Sequence, residues 1–375
     1  MPATKRDREP TRRRSKKLRV LLALASAGLT LVLVEVTCSL VLHLMPSPVN
    51  VAPDEVQREL PLPHDGSPAI AHPVLGSVNA KNYRNRWSST NSFGLRNGEI
   101  DEVAGDDTLR VLVLGGSVAW GFGARSNDET LSAYLERWLD QHRDGVPRIG
   151  DRRVEVLNAG VVGYRSWQEA IAYESTWRRL QPDVVVTIDG VNEVFGSIYT
   201  RRTGPPIDDE ASFGRWLKRR LVKMKVVKLY KRLVSPTLDH DGLPTPAEIT
   251  DAYARSLARI EQLARADGAL FVPVLQPTLA IEGAKLLTPY EEQLQQLNEN
   301  LGIGVNAHFE ACYRLFRDLF ARLATRGDDV IAIDASMAFA GEHEVCFVDS
   351  CHLTDRARRA LAAFIGERLV AALRQ

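Results

Sequence analysis

Arg110-Val111-Leu112-Val113-Leu114-Gly115-Gly116-Ser117-Val118-Ala119-Trp120-Gly121-Phe122-Gly123 is the stretch that decides how the chain is read. Val111 to Leu114 form a continuous apolar run, the pattern of a strand buried on both faces. Gly115 and Gly116 break the run, Ser117 follows, and a helical pattern begins near Asn127. Strand, tight turn, serine and helix in that order place a hydroxyl at the carboxyl end of a sheet, where open α/β folds build their sites. The turn is not the G-x-S-x-G elbow of α/β-hydrolases, because Gly115-Gly116-Ser117-Val118-Ala119 lacks the closing glycine. Taken alone it reads equally well as a phosphate-binding turn or as a plain turn, so its meaning depends on what surrounds it.

Downstream, short apolar runs alternate with helical patterns. Val154–Leu157 is a second strand ending in Asn158-Ala159-Gly160-Val161-Val162-Gly163-Tyr164, and a helix is expected over 166–180. Asp183–Ile188 is a third, ending in Asp189-Gly190-Val191-Asn192-Glu193. A helix over 246–267 precedes a fourth strand, Leu270–Leu275; a long loop or broken helix covers 279–305, and a helix covers 306–325. Val330–Ile333 is the fifth strand. The loop Val348-Asp349-Ser350-Cys351-His352-Leu353-Thr354 then leads into a helix over 355–373, with Thr354 or Asp355 as its N-cap. Strands alternating with helices predict a parallel, doubly wound α/β sheet.

A chain of 375 residues, 45% hydrophobic and 25% charged, can bury one large core and carry appendages. Its net charge of +1 hides an asymmetry: residues 1–19 carry a net of +7, so the remainder carries −6. A mildly acidic body argues against a nucleic-acid partner. The basic segment reads as a disordered cytoplasmic tail, because Val20–Leu44 behind it is almost wholly apolar, with no charge before Glu35. Helical, residues 20–44 span about 37 Å against a hydrocarbon core of about 30 Å. We read them as a transmembrane signal-anchor rather than a cleaved signal peptide, since no small-x-small site follows cleanly. The positive-inside rule then puts the N-terminus in the cytoplasm and everything after Leu44 outside it. Glu35, inside the span, is either a functional or helix-pairing carboxylate or one that snorkels to the outer face.

Met45–Pro73 is proline-rich and polar, a linker. Residues 74–100 read as an irregular lead-in to a domain at 101–375. That domain is interrupted at about 197–245, where Phe213, Leu217, Leu221, Met224, Val227, Tyr230 and Val234 fall at helical spacing. Nine Lys/Arg and no acid lie between Ser212 and Val234, so this helix lies on anionic headgroups, forms a flap over the site, or does both.

Three strand-end loops supply matched chemistry. Ser117 is the candidate nucleophile, and a serine hydroxyl is inert until a base takes its proton. Asp349 and His352 lie three apart, a spacing that lets the carboxylate hold one imidazole nitrogen while the other serves as base and then acid. The Ser117 N–H, the Gly163 N–H and the Asn192 amide are candidate donors to an oxyanion. Each alone has a plain structural reading: a turn glycine, an Asx-turn, a capping carboxylate, a surface histidine.

Together, residues 110–372 resemble the SGNH (GDSL-type) hydrolase family, whose four name-giving residues would be Ser117, Gly163, Asn192 and His352. Gly115-Gly116-Ser117 stands for the first block, with glycine at 116 where the family usually has aspartate. Asn158-Ala159-Gly160-Val161-Val162-Gly163 resembles the second, with Gly163 rather than Gly160 as donor. Gly190-Val191-Asn192-Glu193 resembles the third, with Glu193 where aspartate is common, and Asp349 to His352 resembles the last. The resemblance implies a three-layer α/β/α sandwich on a five-stranded, flavodoxin-like parallel sheet. It also implies hydrolysis of esters or thioesters with no cofactor and no metal. Related enzymes act on lipids, O-acetylated sugars or polysaccharides, and some transfer acyl groups. Of the four cysteines, Cys346 and Cys351 bracket Asp349. A disulfide between them, a pair of either with Cys312, and free thiols all remain open.

Overall fold

A computed structural model describes residues 9–44, 56, 68–205, 224–226, 229, 238, 241–299, 302–327 and 329–374. They fall into two compact units. The first comprises residues 1–50 and 208–236. Its helix α1 (Glu9–Leu44) contains Leu21–Val41, with a mean hydropathy of 2.1, long and apolar enough to cross a membrane. Within the same unit the Glu35 carboxylate accepts the backbone N–H groups of Lys225 at 2.7 Å and Val226 at 3.2 Å. The basic helix expected over 212–234 lies outside the described residues apart from Met224–Val226 and Leu229. So does all of the proline-rich 45–67 stretch except Val56.

The second unit, residues 51–207 and 237–375, is the α/β domain. Five parallel strands form its sheet in the order β4-β3-β5-β6-β7: β3 (Thr108–Gly115), β4 (Arg153–Asn158), β5 (Val184–Asp189), β6 (Leu270–Leu275) and β7 (Ile333–Asp334). By chain position this is the 2-1-3-4-5 order of flavodoxin-like sheets. Every residue of β3, β5 and β6 is buried, as a sheet covered on both faces demands. Helices α3 (Leu131–Gln141) and α9 (Asp355–Leu373) pack together, as do α4 (Ser166–Ala172), α6 (Pro246–Ala266) and α8 (Val305–Leu323), completing three layers. The register aligns Gly115 with Ile188 and Val113 with Asn158, so the turns after β3, β4 and β5 open side by side.

Three local expectations change. The fifth strand is shorter and later than 330–333: Val330 makes only an isolated bridge to Phe271, and β7 begins at Ile333. The helix expected over 166–180 is α-helical only to Ala172. It widens into a π-turn at Tyr173–Trp177 and ends in a 3₁₀ turn before Gln181, whose φ is +50°. The linker expected up to Pro73 already enters a strand at Ala69, and the lead-in at 74–100 is not irregular throughout. Strands β1 (Ala69–His72) and β2 (Gly76–Asn79) form an antiparallel hairpin, and the segment bonds to the sheet's β4 edge through Asn97, whose side chain donates to Val156 and accepts from Asn158.

Candidate active site

The nucleophile turn is shaped by close contact. Gly115 has φ +147°, and a Cβ there would lie 2.7 Å from Ala119 Cβ and 2.8 Å from the Ile188 carbonyl. The chain then closes one helical turn, α2 (Ser117–Trp120), which stops at Gly121 with φ +89°. Ser117 is 9% exposed. As the first residue of α2, its N–H is among those a helix leaves unpaired. A buried guanidinium fixes the chain beyond: Arg96 donates to the carbonyls of Trp120, Gly121, Trp87, Ala124 and Ser126 and to Asn127 Oδ1. Burial is the main cause that lowers its pKa to about 9, with the Arg358 charge adding to it.

The loop before α9 brings its side chains to this turn. His352 Nε2 is 2.7 Å from Ser117 Oγ, and His352 Nδ1 is 2.6 Å from Asp349 Oδ2. Asp349 Oδ1 accepts the backbone N–H groups of Cys351 and His352, which locks the carboxylate to the loop. Because the carboxylate is an acceptor, the shared proton belongs on Nδ1 and Nε2 faces the serine hydroxyl. Phe122 lies against the imidazole with ring centroids 4.1 Å apart. Thr354 caps α9, its hydroxyl accepting the N–H of Ala357.

A buried ion pair holds the same loop from below. Lys285 Nζ and Glu291 Oε2 are 2.8 Å apart with both side chains fully buried. Glu291, on α7 (Pro289–Glu299), also accepts the N–H groups of Cys346 and Phe347, and the neighbouring Tyr290 hydroxyl donates to Val348 O. Thr278 Oγ1 and the Leu279 N–H donate to Ser350 O.

Asn192 opens α5 (Val191–Thr200), and its Nδ2 donates to Tyr164 O at 2.9 Å, which leaves one of its two amide hydrogens to give. A Cβ on Gly116 would lie 2.2 Å from that Nδ2 and 3.3 Å from Tyr164 O. Asn192 therefore occupies the space a side chain at 116 would need, a physical reason for glycine where aspartate is usual. Gly163 has φ +82° and is exposed, and no backbone carbonyl among the described residues takes its N–H. The Gly160 N–H is taken by Asn158 Oδ1 at 3.1 Å. Glu193 accepts the Ser166 N–H at 2.7 Å and so steadies the turn that carries Gly163.

Electrostatics separate the pair. Burial pushes the Asp349 pKa up, but the His352 charge and the hydrogen bonds it accepts prevail and bring it to about 2. Burial pulls the His352 pKa down, but Cys351 and Asp349 prevail and hold it well above the usual imidazole value. All four cysteines are free, so the disulfide arrangements left open by the sequence are not formed. Asp349, Cys351 and His352 offer an oxygen, a sulfur and a nitrogen within 4.8 Å of one another, the only such group among the described residues. A polar cavity of 370 Å³ lined by Asn97, Glu99, Glu136, Arg153 and Glu155 lies at the opposite, amino end of β4.

Arg96, Phe122, Lys285, Tyr290 and Glu291 were not legible as site residues. Arg96 sits in a segment without periodicity, and the others touch the site only through contacts distant in sequence. A buried Lys–Glu pair leaves no mark on a sequence pattern.

An open parallel sheet with a serine–imidazole–carboxylate chain at its carboxyl edge defines an α/β hydrolytic fold of the SGNH type. The GDSL-like lipase/acylhydrolase family model matches residues 113–297. Over those residues the chain is similar to that family, and it is a hydrolase acting on esters. The match includes Ser117, Gly163 and Asn192 and ends before Asp349 and His352. Among solved structures, the chain is similar to an α/β hydrolase enzyme from the metagenome of Lake Arreo, with 16% identity, a TM-score of 0.39 and coverage of 70% of this chain and 94% of that one. TesA gives 16% identity and a TM-score of 0.39, covering 70% of this chain and 99% of that one. Axe2, an acetylxylan esterase from Geobacillus stearothermophilus, gives 14% identity and a TM-score of 0.36, covering 70% and 93%. No curated protein matches the chain.

Proposed function

We propose that this protein is a membrane-anchored serine esterase that works through an acyl-enzyme on Ser117. The observation that carries the reading is the continuous chain from Ser117 Oγ to His352 Nε2 at 2.7 Å and from His352 Nδ1 to Asp349 Oδ2 at 2.6 Å. His352 takes the serine proton as Oγ attacks the ester carbonyl, and Asp349 stabilises the imidazolium that forms. The tetrahedral oxyanion is met by the N–H groups of Ser117 and Gly163 and by Asn192 Nδ2, each worth about 2–4 kcal/mol in a dry site. His352 returns the proton to the leaving alcohol. A water that it then deprotonates attacks the acyl-enzyme and releases the acid. An acceptor hydroxyl in place of that water would make the same chemistry an acyl transfer.

Residues 20–44 serve as an uncleaved anchor with the N-terminus inside and the domain outside the cytoplasmic membrane. A substrate reached from there is an O-acyl, foremost O-acetyl, group on an envelope or exported polysaccharide. Lipid esters are the second reading, favoured by the anchor and the basic segment 212–234. The test is hydrolysis of p-nitrophenyl esters of increasing chain length by the full chain in detergent micelles. Wild type should turn over acetate fastest, and Ser117→Ala should lose on the order of 10⁴-fold or more in kcat. Undiminished turnover by Ser117→Ala would reject the mechanism, and a preference for long chains would favour lipid.

A further inference from the structure

Cys351 takes no part in the acyl-transfer chemistry, yet its Sγ lies 3.8 Å from His352 Nδ1, the same nitrogen that holds Asp349 Oδ2 at 2.6 Å. Three different donor atoms thus lie within 4.8 Å of one another. Carboxylate, thiolate and imidazole together are the donor set of a borderline-soft divalent ion such as zinc. Tetrahedral zinc with ordinary bond lengths needs an N–S edge of about 3.5 Å and an N–O edge of about 3.3 Å. The sulfur is already close to its place, and the carboxylate must draw back by less than about 1 Å to reach that edge. Asp349 is the member able to do so, because its side chain is 45% exposed against 15% for His352 and Oδ2 can swing from Nδ1 while Oδ1 keeps its two backbone N–H groups.

We propose that Asp349, Cys351 and His352 form a capture site for zinc-like divalent cations that switches the esterase off. Binding releases the thiol proton, and the metal displaces the Nδ1 proton, which the ring keeps by taking it up on Nε2. A neutral imidazole carries one proton; with the metal on Nδ1 that proton resides on Nε2. The nitrogen facing Ser117 then has no lone pair with which to accept the hydroxyl proton. The nucleophile stays inert although it has not moved, and removal of the metal restores the original tautomer. The switching part rests on the esterase reading above, whereas the binding part does not.

The test uses the full chain in detergent micelles, stripped with chelator. Cadmium serves as a spectroscopic probe of thiolate ligation, and zinc as the inhibitor. In Ser117→Ala, cadmium should produce an ultraviolet thiolate-to-metal absorption that is lost when Cys351→Ser is added, whatever the other three cysteines contribute. In p-nitrophenyl acetate hydrolysis, wild type and Cys351→Ser are each referred to their own metal-free rate. Wild type should lose activity with added zinc and regain it with chelator, and the variant should need about tenfold or more zinc for the same loss. Absence of a Cys351-dependent absorption, or equal zinc sensitivity in the two proteins, would overturn the proposal. A Cys351-dependent absorption in a protein that hydrolyses no ester would instead reject the esterase reading and leave the metal site standing.

Discussion

His352 sits between opposing forces. Burial disfavours its charge, while Cys351 and the Asp349 carboxylate favour it more strongly, and its pKa stands above the ordinary imidazole value. Only the neutral ring can accept the Ser117 proton, so kcat/KM should rise with pH through an acid limb above the ordinary value of about 6.5. In Asp349→Asn the limb should move down, because the amide removes the charge that favours the imidazolium, and kcat should fall by about 10⁴-fold as the tautomer is lost. A pH-rate profile of both proteins checks this; an acid limb that does not move would detach Asp349 from the histidine. Asn192 makes a separate prediction. Asn192→Ala should lower kcat by about 10²–10³-fold with little change in KM, since its free amide hydrogen acts only on the developing charge. Gly116→Ala should mimic it, because the added Cβ would lie 2.2 Å from Asn192 Nδ2 and must displace it. Steady-state kinetics of the two variants should therefore agree in kind. Much of this was legible from spacing. Asp349 and His352 are three apart, and Ser117 follows a buried run. The meeting of Ser117 with a histidine 235 residues away is a property of the fold alone.

The Ser117 turn and the loop before α9 are held from outside themselves. Arg96 gathers five backbone carbonyls around the chain that follows α2, so removing it orphans several of them at once. Arg96→Met should cost about 2–4 kcal/mol of stability, read by denaturant titration, and should weaken reaction with an active-site phosphonylating probe. A variant as stable as wild type would show that the lead-in segment is dispensable. That segment escaped the sequence reading for a physical reason. Its strands are two short pieces, and its stabilising contacts are hydrogen bonds from Asn79, Asn97 and Arg96 to distant backbone, which leave no hydrophobic period. The strands of the sheet were legible because burial on both faces forces apolar runs. The exception is β7, which at two residues is too short to impose one.

Across the whole molecule, burial of charge sets the response to pH. Glu169, Asp189 and Glu193 are each at most 3% exposed, and the Glu169 and Asp189 carboxyl groups meet side chain to side chain, a contact that needs one proton shared between them. Burial, together with the Glu193 charge, raises the Asp189 pKa to about 7, and burial raises Glu169 as well. A carboxyl group with a raised folded-state pKa binds its proton more tightly when folded, so its contribution is full below the unfolded value near 3.9 and is lost as pH rises through the folded value. The melting temperature of wild type should therefore decline between about pH 4 and pH 7, and Asp189→Asn should flatten that decline. A profile that Asp189→Asn leaves unchanged would place the shared proton elsewhere. Topology is tested at the same scale. A reporter active only outside the cytoplasm, fused after Gln375, should be active if residues 20–44 anchor the chain with its N-terminus inside.

The proposed mechanism makes Ser117 the acylated nucleophile. The most direct measurement is mass spectrometry of the full chain after reaction with a fluorophosphonate, followed by tryptic digestion. Val111–Arg125 holds a single serine, Ser117, so its mass shift is unambiguous. Wild type should carry one phosphonyl adduct on that peptide, and Ser117→Ala and His352→Ala should carry none. An adduct on another peptide, or labelling that survives Ser117→Ala, would contradict it.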